Sequence, residues 1–404
     1  MSTAGLTHRL HLGPAEKEIS RYQYLPVPVD APVPGLTVQL RYDHSIAVID
    51  LGLVGPGGFR GWSGGERDQI TVGPRAATPG YLPGPIEAGQ WSVVLGLYKV
   101  PLGGVDVEVA VRRQLAPLPP LPPPPPPPPV RPPDRPPARP GWRWVPGDLH
   151  SHTVHSDGRL SIDQLAALAR SRGLEFLAVT DHNTVSHHPH LASASLRYGL
   201  TLICGQELTT DQGHANCLGD VGWVDFRESA DRWQEQADAA GGLISINHPV
   251  AGPMGWRRPM RRRPQLVEAW HVSWDRRDPR ALAWWRAGGG GVVVGGSDFH
   301  RRGNPPPGTP TTWVEVPADG AGPPPAERVL DGLRDGRVAV AAGPRGPAMV
   351  RSGDELEIRG GDGLRLVAED GARRAVVGDR ARLTAPPGLW RLEAPDGVVC
   401  ALSR

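Results

Sequence analysis

The stretch that decides the fold is Asp148-Leu149-His150-Ser151-His152-Thr153-Val154-His155-Ser156-Asp157-Gly158. Alternate residues of a β-strand share a face, so His150 and His152 are predicted to direct two imidazoles at one point. Asp157 follows in a turn that Gly158 permits. Imidazole and carboxylate together are the ligands of hydrolytic divalent-metal sites. A single His-x-His pair is weak evidence, because ordinary strands also contain histidines.

Further imidazoles and carboxylates follow almost every apolar run downstream. A helix is predicted to begin at Ser161, with Gln164 completing a capping box, and to end near Gly173. Apolar strands then lead into polar residues at four places: Asp181-His182, Gly205-Gln206-Glu207, Asn247-His248 and Ser297-Asp298-Phe299-His300. Helices are predicted around 230–240 and 279–287. This alternation of strand and helix favours a parallel sheet.

The polar residues at the strand ends form one candidate ligand set. Its members are His150, His152, Asp157, His182, Glu207, His214, His248, Asp298 and His300. One tetrahedral zinc ion takes about four ligands, so the set indicates two or three divalent ions that share bridging carboxylates. Such centres generate a hydroxide nucleophile and offset charge during displacement, which predicts hydrolysis. Because barrel enzymes collect catalytic residues at the carboxyl ends of several strands, a closed or nearly closed barrel is expected.

The regions outside this core have a different composition. A β-rich accessory domain is predicted over 1–115, where alternating strands between Gly/Pro turns are typical of a β-sandwich. A Pro-rich linker follows over 116–142, then the metallohydrolase region over 143–346 and a small C-terminal β segment over 347–404. The linker is expected to be a semi-rigid polyproline II spacer, and two dozen such residues reach roughly 75 Å. Docking of a proline-reading partner is the alternative.

The overall charge and the cysteines exclude some classes of protein. Among 404 residues, 44 Lys and Arg balance 42 Asp and Glu, so no global basic field indicates nucleic acid or an anionic membrane. Three cysteines do not form a disulfide framework, and Cys204 and Cys217 are interpreted as small apolar residues. Residues 1–12 lack a signal-peptide core, and no apolar run is long enough for a membrane span, so a cytoplasmic location is expected. The oligomeric state stays open.

The motifs resemble those of the PHP (polymerase and histidinol phosphatase) superfamily over about 147–343. The matching motifs are Asp148–Thr153, Ser156-Asp157-Gly158, Thr180–Asn183, Gly205-Gln206-Glu207, Gly213–Asn216, Asn247-His248-Pro249 and Gly296–His300. The resemblance implies an α/β fold, a distorted (β/α)7 TIM-like barrel, with a trinuclear metal site. It assigns His150, His152, Glu207 and Asp298 to one ion. A second ion would share Glu207 and add His214 and His248, and a third would take Asp157, His182 and His300.

Within that superfamily, the chain looks most like the CehA/McbA-like metallohydrolases. The N-terminal stretches that carry this resemblance are Gly61–Gly65 and Ala77–Gly84. His271 departs from the pattern, because that branch has Asn after the Glu268-Ala269-Trp270 stretch. His155, Asp181 and His271 are therefore candidates for contacts behind the metal ligands or with the substrate.

Three functions are compatible with this sequence. The first is a phosphoesterase that uses a metal-bridging hydroxide, with Glu207, Asp298 and His300 as catalytic residues, two or three Mn, Zn or Fe ions, and a small-molecule or nucleotide-like ester as substrate. The second is a carboxylic ester or carbamate hydrolase that uses the same hydroxide. The third is a non-catalytic binding protein, which the complete ligand set argues against.

Two other polar stretches have alternative interpretations. His187, His188 and His190 are expected in a polar surface loop. The basic run 256–263 could grip a phosphate, because Arg forms bidentate bonds to such groups, or it could be a solvated loop.

Overall fold

A computed structural model describes residues 5–320 and 322–404. The first four residues of the predicted accessory domain and residue 321 of the predicted metallohydrolase region lie outside the described residues. The chain divides into two compact units. Unit 1 contains the residues up to Pro123 together with two short segments, Val154–Gly158 and Asp181–His187. Unit 2 contains Pro124–Thr153, Arg159–Thr180 and His188–Arg404.

Unit 1 is built from two antiparallel four-stranded sheets. Its elements are β1 (Leu6–Leu12), α1 (Pro14–Ile19), β2 (Tyr22–Val29), β3 (Leu36–Arg41), β4 (Val48–Gly55), β5 (Gly58–Trp62), β6 (Gln69–Val72), β7 (Gly89–Lys99) and β8 (Val105–Arg112). The sheet orders are β1-β8-β3-β6 and β2-β7-β4-β5. Alternate side chains such as Val38 on β3 and Leu51 on β4 are buried in one apolar core to which both sheets contribute.

Unit 2 alternates strands and helices. Its elements up to residue 341 are β9 (Trp142–Asp148), α2 (Ile162–Ser171), β10 (Phe176–Val179), α3 (His188–Tyr198), β11 (Thr201–Thr210), β12 (Gly213–Leu218), α4 (Ala230–Ala239), β13 (Leu243–Ile246), β14 (Leu266–His271), α5 (Arg280–Ala287), β15 (Val292–Gly296), β16 (Thr311–Pro317), α6 (Ala326–Arg334) and β17 (Val338–Ala341). The capping box predicted for α2 is confirmed, because Ser161 accepts from the backbone N–H of Gln164 and the Gln164 side chain accepts in return. The mixed α/β class predicted for this region is confirmed.

The strand order of unit 2 places β9 in the middle of a long sheet. Strands β9, β10 and β11 are parallel, and so are β13, β14 and β15. Strand β12 runs antiparallel to both of its neighbours, and β16 runs antiparallel to β9. Thr312 of β16 bridges to β15, since its Oγ1 accepts from Gly295 N at 2.9 Å and donates to Gly295 O at 2.8 Å. The Thr312 side chain therefore joins β15 and β16, and the seven-stranded barrel stays a prediction.

The C-terminal segment is β-rich, as predicted. Its strands are β18 (Ala348–Ser352), β19 (Glu355–Arg359), β20 (Arg365–Val367), β21 (Arg373–Ala375), β22 (Arg380–Thr384), β23 (Trp390–Glu393) and β24 (Val399–Ser403). Strand β24 pairs antiparallel with β17, from Ala339↔Ser403 to Ala341↔Ala401. Strands β24, β23, β20 and β21 therefore continue the long sheet of unit 2, whereas β18, β19 and β22 form a separate three-stranded sheet.

The Pro-rich segment packs on unit 2 from Pro124 onward. Tyr198 Oη donates to Pro125 O at 2.8 Å, and Arg345 Nη2 donates to Arg131 O at 2.6 Å. Arg135 forms an ion pair with Glu175 at 2.7 Å. The carbonyls of Pro125 and Arg131 have no helix or ladder partner, so side chains of unit 2 satisfy them. This part of the segment is therefore docked on the rest of unit 2.

The helices of the chain are short. The longest α-helix among residues 5–320 and 322–404, α3, has 11 residues. Within that described part of the chain, no helix has the length and apolar character needed to traverse a lipid bilayer.

Candidate metal centre

His150 and His152 lie just after β9 rather than inside it. The strand ends at Asp148, whose buried carboxylate accepts hydrogen bonds from the backbone N–H groups of His150, Ser297 and Gly308 at 3.2, 3.0 and 2.7 Å. Burial raises the pKa of Asp148, and these three donors oppose the shift. One carboxylate thus joins the chain that follows β9 to the chain that follows β15.

Glu207 is the centre of the cluster. Its Oε1 lies 3.2 Å from His150 Nε2, 3.2 Å from His214 Nδ1 and 3.6 Å from His248 Nε2. Its Oε2 lies 3.6 Å from His152 Nε2. The side chain is fully buried. A carboxylate that faces four imidazoles in a dry interior has the arrangement of a bridging metal ligand.

Asp298 faces a second group of imidazoles. Its Oδ1 lies 2.9 Å from His152 Nε2 and 3.2 Å from His150 Nε2, and its Oδ2 lies 3.2 Å from His271 Nε2. His300 Nδ1 donates to the Asp298 backbone O at 2.7 Å. Asp298 and His248 have positive φ values of 48° and 28°. Such a backbone is uncommon for residues other than glycine and collects at functional sites.

The donor set fits divalent ions. Three groups that include Glu207 or Asp298 have ligand atoms within 4.8 Å of one another: His150, His152 and Glu207; Glu207, His214 and His248; and His248, His271 and Asp298. Among the described residues, His150 Nε2 has no hydrogen-bond partner of acceptable geometry, although two carboxylate oxygens lie 3.2 Å away. A buried nitrogen that faces two carboxylates without a hydrogen bond is placed as a metal ligand would be.

The protonation states are strongly coupled in this cluster. Burial by itself lowers the pKa of His150, but the carboxylates of Glu268, Glu207 and Asp298 outweigh it and raise this pKa well above its usual range. Burial raises the pKa of Asp298, yet the charges and hydrogen bonds of His150, His152 and His271 hold it well below its usual range. The imidazoles and carboxylates of the cluster therefore stabilise one another's charged forms.

Glu268 is a site residue that the sequence analysis missed. It is 1% exposed, and its Oε2 lies 2.8 Å from His150 Nδ1. A carboxylate behind a histidine fixes the tautomer that directs the other nitrogen at a metal. A side chain at Gly296 would place its Cβ 2.3 Å from Glu268 Oε2, so glycine is required there. The signal available in the sequence was a carboxylate inside the otherwise apolar strand β14.

Asn247 and His271 also contact the carboxylates. Asn247 Nδ2 donates to Glu207 Oε1 at 2.8 Å. His271 is buried, with Nδ1 2.7 Å from Ser273 Oγ and Nε2 facing Asp298. His271 is the residue that departs from the CehA/McbA pattern. It therefore adds a further imidazole beside Asp298.

Asp157 and His182 belong to unit 1. Within that unit, His182 Nε2 lies 3.5 Å from Asp157 Oδ1. Asp181 is fully buried and accepts from Ser156 Oγ at 2.6 Å. The third predicted ion, with Asp157, His182 and His300 as ligands, stays a prediction.

His187, His188 and His190 were expected in a polar surface loop, and this expectation is wrong. His187 is buried, and the other two belong to a helix. His187 is fully buried, with Nδ1 3.3 Å from Asp181 Oδ2, so a carboxylate compensates for its burial. His188 and His190 lie in helix α3. His155, also buried, contacts Ser186 Oγ through Nδ1 at 2.8 Å.

The basic run 256–263 is bound to the region of helix α4. The Arg258 guanidinium lies 4.4 Å from the ring centroid of Trp233. Arg261 pairs with Asp231 at 3.0 Å, and Arg262 pairs with Asp238 at 3.2 Å. These guanidiniums are engaged by protein partners, so they give no support to the phosphate-gripping alternative.

Comparisons with known proteins match this part of the chain. Residues 148–251 match the model of the PHP domain family. A 5'-3' exoribonuclease of Haemophilus influenzae is 38% identical over 64 residues, which cover 16% of this chain and 23% of that protein. The uncharacterized protein MJ1587 of Methanocaldococcus jannaschii is 25% identical over 118 residues, 26% of this chain and 69% of that protein.

A solved two-domain protein of Bacteroides vulgatus, which contains a predicted PHP-like metal-dependent phosphoesterase, has 16% identity and a TM-score of 0.42. The comparison covers 67% of this chain and 97% of that one. The CehA/McbA branch stays a prediction. The PHP resemblance expected from the motifs is confirmed by the family match over residues 148–251.

Proposed function

We propose that the protein is a metal-dependent hydrolase that cleaves phosphoesters. The observation that carries the proposal is the position of Glu207, a fully buried carboxylate with Oε1 within 3.6 Å of three imidazoles and Oε2 3.6 Å from a fourth. Without cations, that concentration of ligand atoms in a dry interior is unfavourable.

The ligand residues divide around that carboxylate. His150, His152, Glu207 and Asp298 would hold one ion, and Glu207, His214 and His248 a second. Asp157, His182 and His300 would hold a third. Bound divalent ions of this kind activate water as a nucleophile and offset the negative charge that develops on the scissile group. The ions expected are Mn, Zn or Fe.

The other residues of the chain hold these ligands in place. Glu268 accepts the Nδ1 proton of His150, so that Nε2 faces Glu207 and Asp298. Asn247 fixes Oε1 of Glu207. His271, through Nε2, is within hydrogen-bond distance of Asp298 Oδ2. Buried partners behind the ligands keep the site in one geometry before substrate arrives.

A phosphoester is preferred over a carboxylic ester because a multi-ion centre can stabilise both the attacking and the leaving oxygen of an in-line displacement at phosphorus. One similar protein is a 5'-3' exoribonuclease, whose substrate is a phosphodiester chain. The substrate class proposed here is a small-molecule or nucleotide-like ester.

The test is a hydrolysis screen of the full-length protein reconstituted with Mn²⁺, Zn²⁺ or Fe²⁺. Matched nitrophenyl esters of phosphate, phosphodiester, acetate and carbamate differ mainly in the group that is attacked. We expect turnover of at least one phosphate ester and two or three ions per chain. The variant His150→Ala/His152→Ala should lose at least one ion and the activity, whereas the control His8→Ala/His44→Ala should lose neither.

Two results would contradict the proposal. A full complement of ions in the His150/His152 double variant would overturn the ligand assignment. Turnover confined to the acetate or carbamate esters would make the protein a carboxylic ester or carbamate hydrolase built on the same centre.

A further inference from the structure

Two short segments carry Asp157 and His182, and both belong to unit 1 together with the N-terminal β domain. We call Val154–Gly158 and Asp181–His187 the two ligand loops. Their contacts within unit 1 converge on two residues of the N-terminal strands and turns, Arg67 and Gly80. Both lie in or beside the stretches 61–65 and 77–84 that the sequence analysis singled out and that the proposed function does not use.

Arg67 holds the first ligand loop by its backbone. It follows the 3₁₀ turn Gly64–Glu66 and is partly buried. Its Nη1 donates to Ser156 O at 2.9 Å, and its Nη2 donates to Val154 O. A guanidinium presents its donors as a rigid planar fork, so one side chain fixes two carbonyls at once. The first of these carbonyls belongs to Ser156, the residue immediately before Asp157.

Gly80 contacts both ligand loops. Its N–H donates to Ser186 Oγ at 3.0 Å, and its carbonyl accepts from Thr184 Oγ1 at 2.8 Å. Its φ is +101°, and an added Cβ would lie 2.8 Å from His155 O. Only glycine permits this close approach in this conformation. The loops are also joined directly, because His155 Nδ1 lies 2.8 Å from Ser186 Oγ.

We infer that Arg67 and Gly80 are positioning residues for the Asp157–His182 pair, so that the N-terminal β domain sets the affinity of the ion that this pair binds. The inference rests on the proposed function, since it concerns the third ion of that centre. Asp157 and His182 lie on loops rather than in strands, and loop ligands keep one geometry only when other groups hold their backbone. Arg67 and Gly80 supply that support through the contacts described above.

The experiment measures metal affinity in the full-length chain. Arg67→Met keeps the aliphatic stem and removes both donors, and Arg75→Met is the control, because Arg75 is exposed in the same domain. Each protein is dialysed against Zn²⁺ buffered at decreasing free concentrations, and bound zinc is counted by elemental analysis. We expect Arg67→Met to release one ion per chain at a free zinc concentration about tenfold or more above that of the wild type. The remaining ions and the Arg75→Met isotherm should be unchanged.

Two more variants separate positioning from folding. Arg67→Lys keeps the charge but cannot span two carbonyls, so it should show the same selective loss as Arg67→Met. Thr184→Val removes one hydroxyl from the second loop with little change of shape, and it should weaken the same ion. Thermal melting shows whether Arg67→Met is folded. If it is not, the zinc affinities of Arg67→Lys and Thr184→Val test the inference.

The inference fails if Arg67→Met, or in its place the two milder variants, bind all ions with wild-type affinity. It also fails if wild-type protein holds only two ions, because the pair then binds none. Wild-type protein that binds no zinc, manganese or iron overturns the proposed function as well. A wild type with three ions and an unaffected Arg67→Met isotherm overturns the inference alone.

Discussion

At the scale of single residues, Glu207 is the carboxylate on which the centre depends. It contacts four imidazoles through two oxygens, and Asn247 holds one of these oxygens. The sequence marked this residue as a candidate ligand after an apolar run, and the PHP resemblance implied its shared role. The structure places it inside strand β11 rather than after it.

The first prediction concerns the charge of that carboxylate. Glu207→Gln keeps the shape but removes the negative charge that would offset the two ions proposed beside it. Hydrolysis should fall at least about a hundredfold, since loss of such an electrostatic partner costs about 3 kcal/mol or more. Steady-state kinetics with metal content measured in parallel checks this result. Exposed Glu327→Gln is the control. Turnover within about threefold of wild type, roughly 0.7 kcal/mol in barrier, would contradict the bridged arrangement.

The second prediction concerns Glu268, which the sequence analysis did not identify. Glu268→Gln removes the charge that faces His150 Nδ1 while keeping the volume of the side chain. Partners behind metal ligands typically contribute 10- to 100-fold in affinity, and we expect a loss of about that size for the ions held by His150. Competition with a chromophoric chelator measures it. An unchanged affinity would leave Glu268 as a buried carboxylate without influence on the metals.

At the scale of elements, the strand-end residues were predictable because apolar runs and the polar residues after them are local features of the sequence. The position of Glu268 was not, since its partner lies 118 residues away and only the pairing of β14 in the sheet brings the two together. Helix α3 was missed because His188-Pro189-His190 is typical of a polar loop. Proline is tolerated in the first turn of a helix, where its missing N–H costs nothing.

A third prediction belongs to helix α2. Ser161→Ala removes the N-cap acceptor and leaves the backbone N–H of Gln164 without its partner, which typically costs about 1 kcal/mol. Urea unfolding should show that loss of stability. Ion content and turnover should stay unchanged, because the cap contacts no ligand residue. A reduced ion content at unchanged stability would contradict this assignment.

At the scale of the whole molecule, the domain boundaries read from composition differ from the compact units. Composition changes at the proline run, but unit 2 already begins inside that run, at Pro124. Unit 1 also contains two loops from the middle of the predicted metallohydrolase region. The hydrogen bond from Gly80 N to Ser186 Oγ joins residues that are 106 positions apart. Contacts of this kind cannot be predicted from local sequence patterns.

The fourth prediction follows from that division. A fragment of residues 124–404 contains all members of the Glu207 and Asp298 clusters and keeps the docked proline segment. It should bind up to two ions per chain and lack the third, because Arg67 and Gly80 are absent. A matched fragment of residues 143–404, which also lacks the docked segment, should be less stable in thermal melting. A 124–404 fragment with three tightly bound ions would contradict the prediction.

The charges of the buried cluster have one more consequence. Glu268, Glu207 and Asp298 raise the pKa of His150 well above its usual range, which favours the protonated form of this imidazole. A metal ion binds the deprotonated imidazole, so we expect loading of the proposed site to release protons. Loading therefore acidifies an unbuffered solution, and acidic surroundings compete with the metal. We therefore expect the protein to hold its ions less tightly as the pH falls.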